Sequence, residues 1–331
     1  MDILVVGGAG YIGSHMVHLL HAAGYRVIVL DDLSKGYRDA VRGGRLVVGS
    51  VGNRPLLDRL FAAHRFVAVM DFASLIEVGQ SVRDPAAFYN NNLGQTLVLL
   101  DAMRRHRVRN LVFSSTAAIF GEPQQACIDE DHPQRPINPY GRSKWLVEQL
   151  LADYQAAYGL ETVCLRYFNA AGALPDAGLG ERHEPETHLI PLVLQVANGR
   201  RRSLQLFGTD YPTPDGTCIR DYVHVVDLCA AHLLALERLL DRGGSARYNL
   251  GSGLGYSVRE VLHLACRITG RPLRYDEQPR RPGDPVRLVA NPARAMVELG
   301  WRPQHADLDR IISDAWAWEQ QLAQRLARAV A

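Results

Sequence analysis

The chain of 331 residues is long enough for about two domains with a sizeable core. Its 37 lysines and arginines nearly balance 35 aspartates and glutamates, and the basic residues are scattered, which argues against a nucleic-acid partner. The apolar runs are too short to cross a bilayer, and the N-terminus lacks the pattern of a secretion signal. We therefore expect a cytoplasmic protein with no membrane partner.

The cysteines support the same expectation. They are odd in number, widely spaced and without CxxC pairs, which argues against both a disulfide framework and a zinc site. We expect reduced thiols and no bound metal. The cysteines are Cys127, Cys164, Cys218, Cys229 and Cys266.

In the first half of the chain, short runs rich in β-branched residues alternate with longer amphipathic runs. Continuous apolar strands of this length are typical of a parallel sheet that helices cover on both faces. The sequence therefore predicts an α/β fold, with a Rossmann-type doubly wound parallel sheet and a smaller α/β substrate-binding domain. The predicted strands lie at 3–6, 26–30, 45–48, 66–70, 110–115 and 162–168.

After Phe168 the alternation loosens into a segment rich in glycine, proline and polar residues. We expect a cofactor-binding domain at 1–168 and a mainly substrate-binding domain at 169–331, with parts of 215–250 returning to the first domain. Helical patterns in the second half lie near 189–199, 226–241, 257–268 and 306–328.

The first predicted strand runs into a glycine-rich turn, a helix and a second strand that ends in Asp31. Glycines let the backbone approach a diphosphate closely, and the start of a helix offers free N–H groups. Asp31 can accept hydrogen bonds from an adenosine ribose and would repel a 2′-phosphate, which favours NAD over NADP. Lys35 and Arg38 follow closely enough to soften that preference. The glycines of the turn are Gly7, Gly8, Gly10 and Gly13.

Tyr140 and Lys144 stand one turn apart in "NPYGRSK", so both side chains lie on one face of a predicted helix. A tyrosine has an ordinary pKa of about 10 and needs help to act as a base near neutrality. Lys144 and an oxidised nicotinamide would both favour the phenolate. Upstream, "NLVFSST" ends in Ser114, Ser115 and Thr116, at the edge where open α/β sheets bind ligands. A hydroxyl there would hold a substrate alcohol while Tyr140 takes its proton.

These motifs together resemble the extended short-chain dehydrogenase/reductase family and, along nearly the whole chain, its UDP-glucose 4-epimerases. The resemblance implies one bound NAD, reversible inversion at C4 of a UDP-hexose (UDP-glucose and UDP-galactose) through a 4-keto intermediate, and a homodimer. Two long helices per subunit, at about 84–105 and 140–158, would build the dimer. The motifs are "GGAGYIGSH", "FSSTAAIFG", "NPYGRSK", "LRYFNAAGA", "ETHLIP", "DGTCIRDYVHVVDL", "YNLGSG" and "RRPGDP".

The resemblance also implies roles for individual residues. Thr116, Tyr140 and Lys144 take the positions of the family's catalytic hydroxyl, its base and its ribose-binding lysine. The cofactor-binding positions are Gly7, Gly10, Tyr11, Ile12, Gly13, Asp31, Asp32, Ser50, Val51, Phe72, Ala73, Ser74, Asn91, Ser114, Tyr140, Lys144 and Tyr167. The substrate-binding positions are Thr116, Phe168, Asn169, His188, Leu189, Phe207, Arg220, Tyr222, Arg281, Asp284 and Leu288.

Several departures from the family pattern concern the cofactor. Ile76 stands where a cofactor-contacting lysine is common, and residues 71–74 read Asp-Phe-Ala-Ser instead of His-Phe-Ala-Gly. Ser50 replaces an aspartate that faces the adenine, and Gly94-Gln95 replaces Asn-Gly. We therefore expect NAD to be held less tightly than in typical relatives, with the catalytic residues intact.

Other functions fit parts of the same pattern. A 4-epimerase of UDP-N-acetylglucosamine or of a UDP-pentose would share these motifs. A nucleotide-sugar 4,6-dehydratase needs an acid pair after the catalytic threonine, where this chain has Ala117 and Ala118. A non-catalytic NAD sensor of the same fold would typically have lost Tyr140 and Lys144.

Overall fold

The computed structural model describes residues 1–281 and 284–330; residues 282–283, within the "RRPGDP" motif, and residue 331 lie outside the described residues. The strands are β1 (Asp2–Val6), β2 (Arg26–Asp31), β3 (Arg45–Val48), β4 (Phe66–Asp71), β5 (Asn110–Thr116), β6 (Glu161–Tyr167), β7 (Asn169–Ala171), β8 (Ala173–Leu174), β9 (Leu179–Gly180), β10 (Leu204–Phe207), β11 (Ile219–Arg220), β12 (Tyr222–His224), β13 (Ala246–Leu250), β14 (Tyr256–Ser257), β15 (Tyr275–Gln278) and β16 (Arg287–Leu288).

Helices alternate with the strands in the first half and dominate the second. Within the described part of the chain, none is long and apolar enough to cross a membrane. A π-helical turn, Tyr89–Gly94, joins the fourth helix to the fifth. The helices are α1 (Tyr11–Ala22), α2 (Arg54–Ala63), α3 (Val78–Arg83), α4 (Pro85–Phe88), α5 (Gln95–Arg105), α6 (Pro139–Tyr158), α7 (Leu189–Ala197), α8 (Val225–Asp241), α9 (Val258–Thr269), α10 (Ala293–Glu298) and α11 (Leu308–Val330).

The described residues form a central seven-stranded parallel sheet in the order β3-β2-β1-β4-β5-β6-β13. The chain builds outward from β1 to β3 and then returns to the other side of β1 with β4. In open α/β sheets a ligand crevice lies at such a reversal, outside the carboxyl ends of the strands. The predicted doubly wound fold is confirmed, and the crevice lies beside the end of β1.

Each face of the sheet packs against its own layer of helices. Ile3 and Val5 of β1 point into a core shared with α1 and α8, whereas Leu4 and Val6 point into a core shared with α2, α5 and α6. Alternate strand residues face opposite sides, so both faces of a doubly covered sheet must be apolar. This requirement is why the β-branched runs predicted these strands.

The smaller region has a separate core built on α7, α9 and α11. Its short strands form a parallel pair, β10 with β15, and a three-stranded group in the order β14-β11-β16. The chain also crosses back to the large sheet after residue 220, because α8 packs against β5 and β6 and β13 pairs with β6. The two proposed domains therefore interleave along the chain, because α8 and β13 follow residue 168 but pack with the large sheet.

A buried ion pair fixes α6 against the sheet. The guanidinium of Arg166 on β6 donates to both carboxylate oxygens of Glu148 on α6, and both side chains are fully buried. Ser115 of β5 donates to the same carboxylate at 2.6 Å. Three elements thus meet at one carboxylate, two helical turns beyond Tyr140.

Replacing Glu148 with leucine should destabilise the fold strongly, because it leaves the Arg166 guanidinium buried without its partner. Losses of about 3–5 kcal/mol are typical of such a change. Urea unfolding measures the free energy directly. The double variant Glu148→Leu, Arg166→Met should recover much of the loss, since it removes both charges. Asp309→Asn, at the exposed Arg267–Asp309 pair, is the control with little expected effect. A small loss in Glu148→Leu would contradict this role.

Candidate active site

The glycine turn after β1 leaves room for a ligand at the start of α1. Gly7 has a φ of 75°, and a Cβ built on it would lie 2.6 Å from the backbone nitrogen of Ala73. At Gly13 a Cβ would collide with the carbonyl of Gly7. Gly10 is the N-cap of α1 and provides no side-chain cap, so the N–H groups of Tyr11 and Ile12 begin the helix without one. This arrangement is an anion site of the kind that binds diphosphates.

Asp31 lies beside this turn at the end of β2. Its carboxylate accepts hydrogen bonds from the backbone N–H groups of Ala9, at 2.9 Å, and Leu33, at 2.8 Å. Burial raises the pKa of Asp31, and these two N–H groups oppose the shift. Asp32 is exposed and accepts from the N–H of Ser34. Asp31 is thus fixed at the edge of the crevice where sequence reasoning placed a ribose acceptor.

Ser50 and Gln95, two departures from the family pattern, belong to one chain of hydrogen bonds. The Ser50 hydroxyl donates to the Gln95 side-chain oxygen at 3.1 Å, and the Gln95 amide donates to the Asn91 side chain at 3.1 Å. Val51, next to Ser50, is buried in the core. The predicted cofactor positions Ser50 and Asn91 are therefore brought together through Gln95, which sequence reasoning noted only as a departure.

The loops after β2 and β4 meet at an ion pair next to Ile76. The Lys35 ammonium lies 2.7 Å from the Glu77 carboxylate, whose other oxygen accepts the N–H of Ile76 at 3.2 Å. The Lys35 side chain is 41% exposed. Both loops follow strands that flank β1, so this pair lies at the carboxyl edge that carries the glycine turn. A lysine is therefore present near position 76, although it comes from another part of the chain.

The segment that follows β4 carries the remaining predicted cofactor positions on this side. Phe72 donates its N–H to Val6 at 2.9 Å, and Ala73 approaches Gly7 closely. The Ser74 hydroxyl donates to the carbonyl of Leu75. Phe72 and Ala73 therefore lie directly beside the glycine turn.

The start of α6 places Tyr140 and Lys144 at the same edge. Asn138 caps the helix by accepting the N–H of Gly141 at 2.8 Å, and Gly141 packs so closely on the Ala118 carbonyl that a Cβ would collide with it. This approach sets the helix start against the segment that follows Thr116. The Lys144 ammonium is buried, donates to the Ser114 carbonyl at 2.9 Å and lies over the Phe113 ring.

The charges around Tyr140 do not by themselves favour the phenolate. Burial raises the pKa of Tyr140 to about 12, a hydrogen bond with Thr116 opposes this rise, and the negative charge of Glu77 adds to it. Burial lowers the pKa of Lys144 to about 8, although the carboxylates of Asp71 and Glu148 oppose that change. A base at Tyr140 therefore requires a further positive charge from a ligand.

The serines and the threonine at the end of β5 have different partners. Ser114 forms a 3.1 Å hydrogen bond with the His232 ring and also bonds to Tyr167, whose pKa burial raises. Ser115 points to the other face and donates to Glu148. Thr116 accepts the N–H of Ala118 and reaches Tyr140. Of the three hydroxyls, Thr116 is the one in position to share a substrate hydroxyl with Tyr140.

Asp71 is a site residue that sequence reasoning did not assign. It ends β4, is 3% exposed, and burial raises its pKa to about 6 while the charge of Lys144 opposes the rise. Its position as the last residue of a strand beside the reversal point is a signal available in the sequence. A buried carboxyl group therefore lies close enough to Lys144 for each to affect the charge of the other.

The smaller region gathers most of the predicted substrate positions. Arg220 forms an ion pair with Asp284 and donates to the Pro285 carbonyl at 2.8 Å. Arg281 lies 3.5 Å from Asp284, and its guanidinium is over the Phe207 ring. Phe207, Arg220, Arg281 and Asp284 thus form one group with two cations and an aromatic ring.

Further predicted positions adjoin this group. Leu288 pairs with Arg220 across β11 and β16 and packs in the same apolar cluster as Phe168. Asn169 donates to the Asp221 carbonyl at 2.8 Å and pairs with the buried Tyr222 across β7 and β12.

His188 and Leu189 stand apart from these contacts. The His188 ring bonds to Glu181, and the Glu181 and Glu186 carboxylates raise its pKa against the opposing effect of burial. Leu189 packs against the core of the smaller region. The contacts of these two residues therefore do not bring them to the arginines.

A glycine turn at a helix start, an acid at the end of β2 and a buried Tyr/Lys pair beside a threonine define a Rossmann-fold enzyme of the short-chain dehydrogenase/reductase type. The chain belongs to the NAD dependent epimerase/dehydratase family, whose profile matches residues 3–251.

Known proteins resemble this chain along nearly its whole length. It is 50% identical over 317 residues to a UDP-glucose 4-epimerase of Rhizobium meliloti, covering 96% of each protein. The crystal structure of UDP-glucose 4-epimerase from Brucella ovis in complex with NAD is 50% identical, with a TM-score of 0.93 over 95% of this chain and 97% of that one. The enzyme from Bifidobacterium longum in complex with NAD+ and UDP is 38% identical, with a TM-score of 0.92 over 97% and 98%.

Proposed function

We propose that this chain is an NAD-dependent enzyme that reversibly inverts C4 of a UDP-hexose, interconverting UDP-glucose and UDP-galactose. The observation that carries the proposal is the meeting of Tyr140, Thr116 and Lys144 with the glycine turn at one edge of the sheet. A base, an alcohol-binding hydroxyl and a dinucleotide site are what oxidation and re-reduction of a sugar hydroxyl require.

The residues around the crevice fit NAD. The turn carries no side chain where a diphosphate would lie, and Asp31 offers a carboxylate at the position that favours a ribose without a 2′-phosphate. Bound NAD supplies the hydride acceptor for C4 and, once reduced, the donor. Lys144 would hold the nicotinamide ribose, and the predicted cofactor positions Ser114, Tyr167 and Phe72 all contact the His232 ring.

Tyr140 takes the proton of the sugar 4-hydroxyl while Thr116 orients that hydroxyl. In the second half of the reaction, after the sugar has turned over about its diphosphate link, Tyr140 returns the proton to the 4-keto oxygen as hydride returns to the opposite face of C4. Arg220 and Arg281 hold the diphosphate, since guanidinium groups bind phosphate oxygens in pairs, and Phe207 packs on the uracil. The nucleotide is thus held firmly while few polar groups restrain the sugar.

Proton NMR of the purified chain with UDP-galactose tests this function. We expect UDP-glucose to accumulate to an equilibrium mixture, with NAD needed only in catalytic amounts. Formation of a 4-keto-6-deoxy sugar would instead indicate a dehydratase, which needs the acid pair that Ala117 and Ala118 do not provide. No turnover of any UDP-sugar in the presence of NAD would indicate a non-catalytic NAD-binding protein.

The proposed enzyme acts as a cytoplasmic homodimer. Large apolar side chains are exposed on the two helical segments that the resemblance places in the interface: Leu97 on α5 is 39% exposed, and Tyr158 at the end of α6 is 52% exposed. The free cysteines are compatible with a reducing compartment. Light scattering of the purified chain measures its mass and thereby tests the dimer.

Lys35 supplies the positive charge that relatives have at position 76. It reaches Glu77 from the loop that follows β2, so its ammonium lies at the cofactor edge beside Ile76. A diphosphate between the two loops would attract the same ammonium. This arrangement partly offsets the expectation of weak NAD binding that the missing lysine raised.

Binding of NAD should lower the pKa of Tyr140 from about 12, because the nicotinamide brings a positive charge next to the phenol. The difference in tyrosinate absorbance between wild type and Tyr140→Phe, measured with and without NAD, reports this ionisation.

Tyr140→Phe should also reduce turnover by a factor of about 10² to 10⁴ while UDP binding is kept. Near-normal turnover by this variant at saturating substrate would show that the base is another group.

Lys35→Ala should weaken NAD binding about tenfold to a hundredfold, the effect of losing one charge-assisted contact. Calorimetric titration of NAD into stripped protein measures this affinity. Adding Ile76→Lys to the same chain should restore the affinity, because it returns a lysine to the family's position. Arg65→Ala is the control, since Arg65 is an exposed cation just before β4, at the opposite edge of the sheet. Unchanged affinity in Lys35→Ala would remove Lys35 from the cofactor site.

Leu288 should set the width of the sugar pocket. Leucine is shorter than the tyrosine of relatives that accept plain hexoses, so UDP-N-acetylglucosamine should be turned over measurably but less efficiently than UDP-glucose or UDP-galactose. Leu288→Tyr should suppress the N-acetyl reaction selectively, and Leu288→Ser should raise it. Ratios of kcat/KM for the two substrates give the answer. Complete inertness toward the N-acetyl sugar, or an equal effect on both substrates, would contradict this role.

A further inference from the structure

A cluster of two histidines and two glutamates lies outside the proposed catalytic centre. The segment before α7 contains two Glu-x-His pairs, Glu181 with His183 and Glu186 with His188. One carboxylate oxygen or ring nitrogen from each residue lies within 4.8 Å of the others. The cysteine spacing predicts no bound metal, but it does not bear on these histidines.

The separations between these atoms are close to those around a bound ion. The His183 Nδ1 lies 3.2 Å from a Glu181 oxygen and 3.6 Å from a Glu186 oxygen, and the His188 Nδ1 lies 3.7 Å from the other Glu186 oxygen. A tetrahedral ion with bonds of about 2.0–2.2 Å separates its ligands by roughly 3.4 Å. Among these contacts the one between His188 and Glu181, at 2.5 Å, would have to lengthen on binding.

One ring nitrogen of the cluster is buried without a hydrogen-bond partner among the described residues. The His183 Nδ1 is a buried atom that makes no hydrogen bond within the described residues, although two carboxylates lie near it. Buried polar atoms normally have a partner. The Glu181 and Glu186 carboxylates lie 3.2 and 3.6 Å from this nitrogen, close enough for all three groups to share a cation.

The surroundings hold the cluster in place and leave it most open at His188. Trp318 of α11 donates to the Glu181 carbonyl at 2.8 Å, and the His183 ring packs edge-on against Tyr11 at the start of α1. The Glu181 and Glu186 side chains are 5% and 4% exposed, whereas the His188 side chain is 44% exposed. An ion would enter from the side of His188.

We propose that Glu181, His183, Glu186 and His188 bind one divalent transition-metal ion of the zinc class. Two neutral imidazoles and two carboxylates suit such an ion, and its two positive charges balance the two carboxylates. The ion would tie the segment before α7 together next to the glycine turn, so it stabilises the fold without taking part in the C4 chemistry.

Titration with Co²⁺ tests the site in the full chain after treatment with a chelator. We expect uptake of one Co²⁺ per chain, a visible absorption typical of four-coordinate Co²⁺, and no thiolate charge-transfer band. Zn²⁺ should displace the Co²⁺ and raise the Tm of the protein, because it binds the folded state. No stoichiometric uptake, or thiolate bands that show binding by cysteine, would overturn the proposal.

Variants of two cluster residues outside the proposed catalytic and substrate positions complete the test. Glu186→Gln and His183→Ala should each weaken Co²⁺ binding by more than about 10- to 100-fold, the loss typical of changes one shell farther out. Glu186→Gln keeps the shape of the side chain, so it tests the site even if His183→Ala does not fold. His263→Ala, at an exposed histidine of α9, is the matched control. Equal Co²⁺ affinity in Glu186→Gln and wild type would contradict the proposal and show that the cluster is only a network of ion pairs. None of these readouts requires turnover of a UDP-sugar.

Discussion

The structure depends on the burial of three polar side chains on one face of α6. Tyr140, Lys144 and Glu148 follow one another at intervals of four residues, and each is buried against the sheet. Such groups are costly to bury unless each finds a partner. Lys144 finds the Ser114 carbonyl, and Glu148 finds Arg166 and Ser115. The partners fix the height and rotation of α6, and the phenol of Tyr140 takes its position from them.

The same burial explains the electrostatic state of the site. The burial that orders Tyr140 and Lys144 raises the pKa of the phenol and lowers that of the ammonium, so the protein alone does not prepare Tyr140 to act as a base. Asp71 adds a carboxyl that retains charge on Lys144. The proposed base is thus conditional on the bound cofactor, which would restrict proton abstraction to the complex in which a hydride acceptor is present.

The sequence predicted the parts of the molecule that local pattern determines. The strands β1 to β6 could be located because their residues face apolar layers on both sides, and Tyr140 with Lys144 because four residues make one helical turn. Pairs that are distant in sequence could not be found this way. Two such pairs are Lys35 with Glu77 and Ser50 with Gln95. They form because segments that are distant in sequence come together in the fold, and the local periodicity of the sequence does not predict such contacts. The two-residue strands of the smaller region are likewise too short to leave a pattern.

The pairing of β11 with β16 couples binding of the diphosphate to the width of the sugar pocket. Arg220 and Leu288 are opposite each other in strands of two residues, so neither can shift along the strand without moving the other. If Arg220 binds the diphosphate and Leu288 limits the space for the sugar, mutations that widen the pocket by displacing β16 will also weaken binding of the nucleotide. Evolution toward bulkier sugars is then easiest through side-chain size at position 288, with the backbone unchanged, and specificity can drift among close relatives while the fold stays the same.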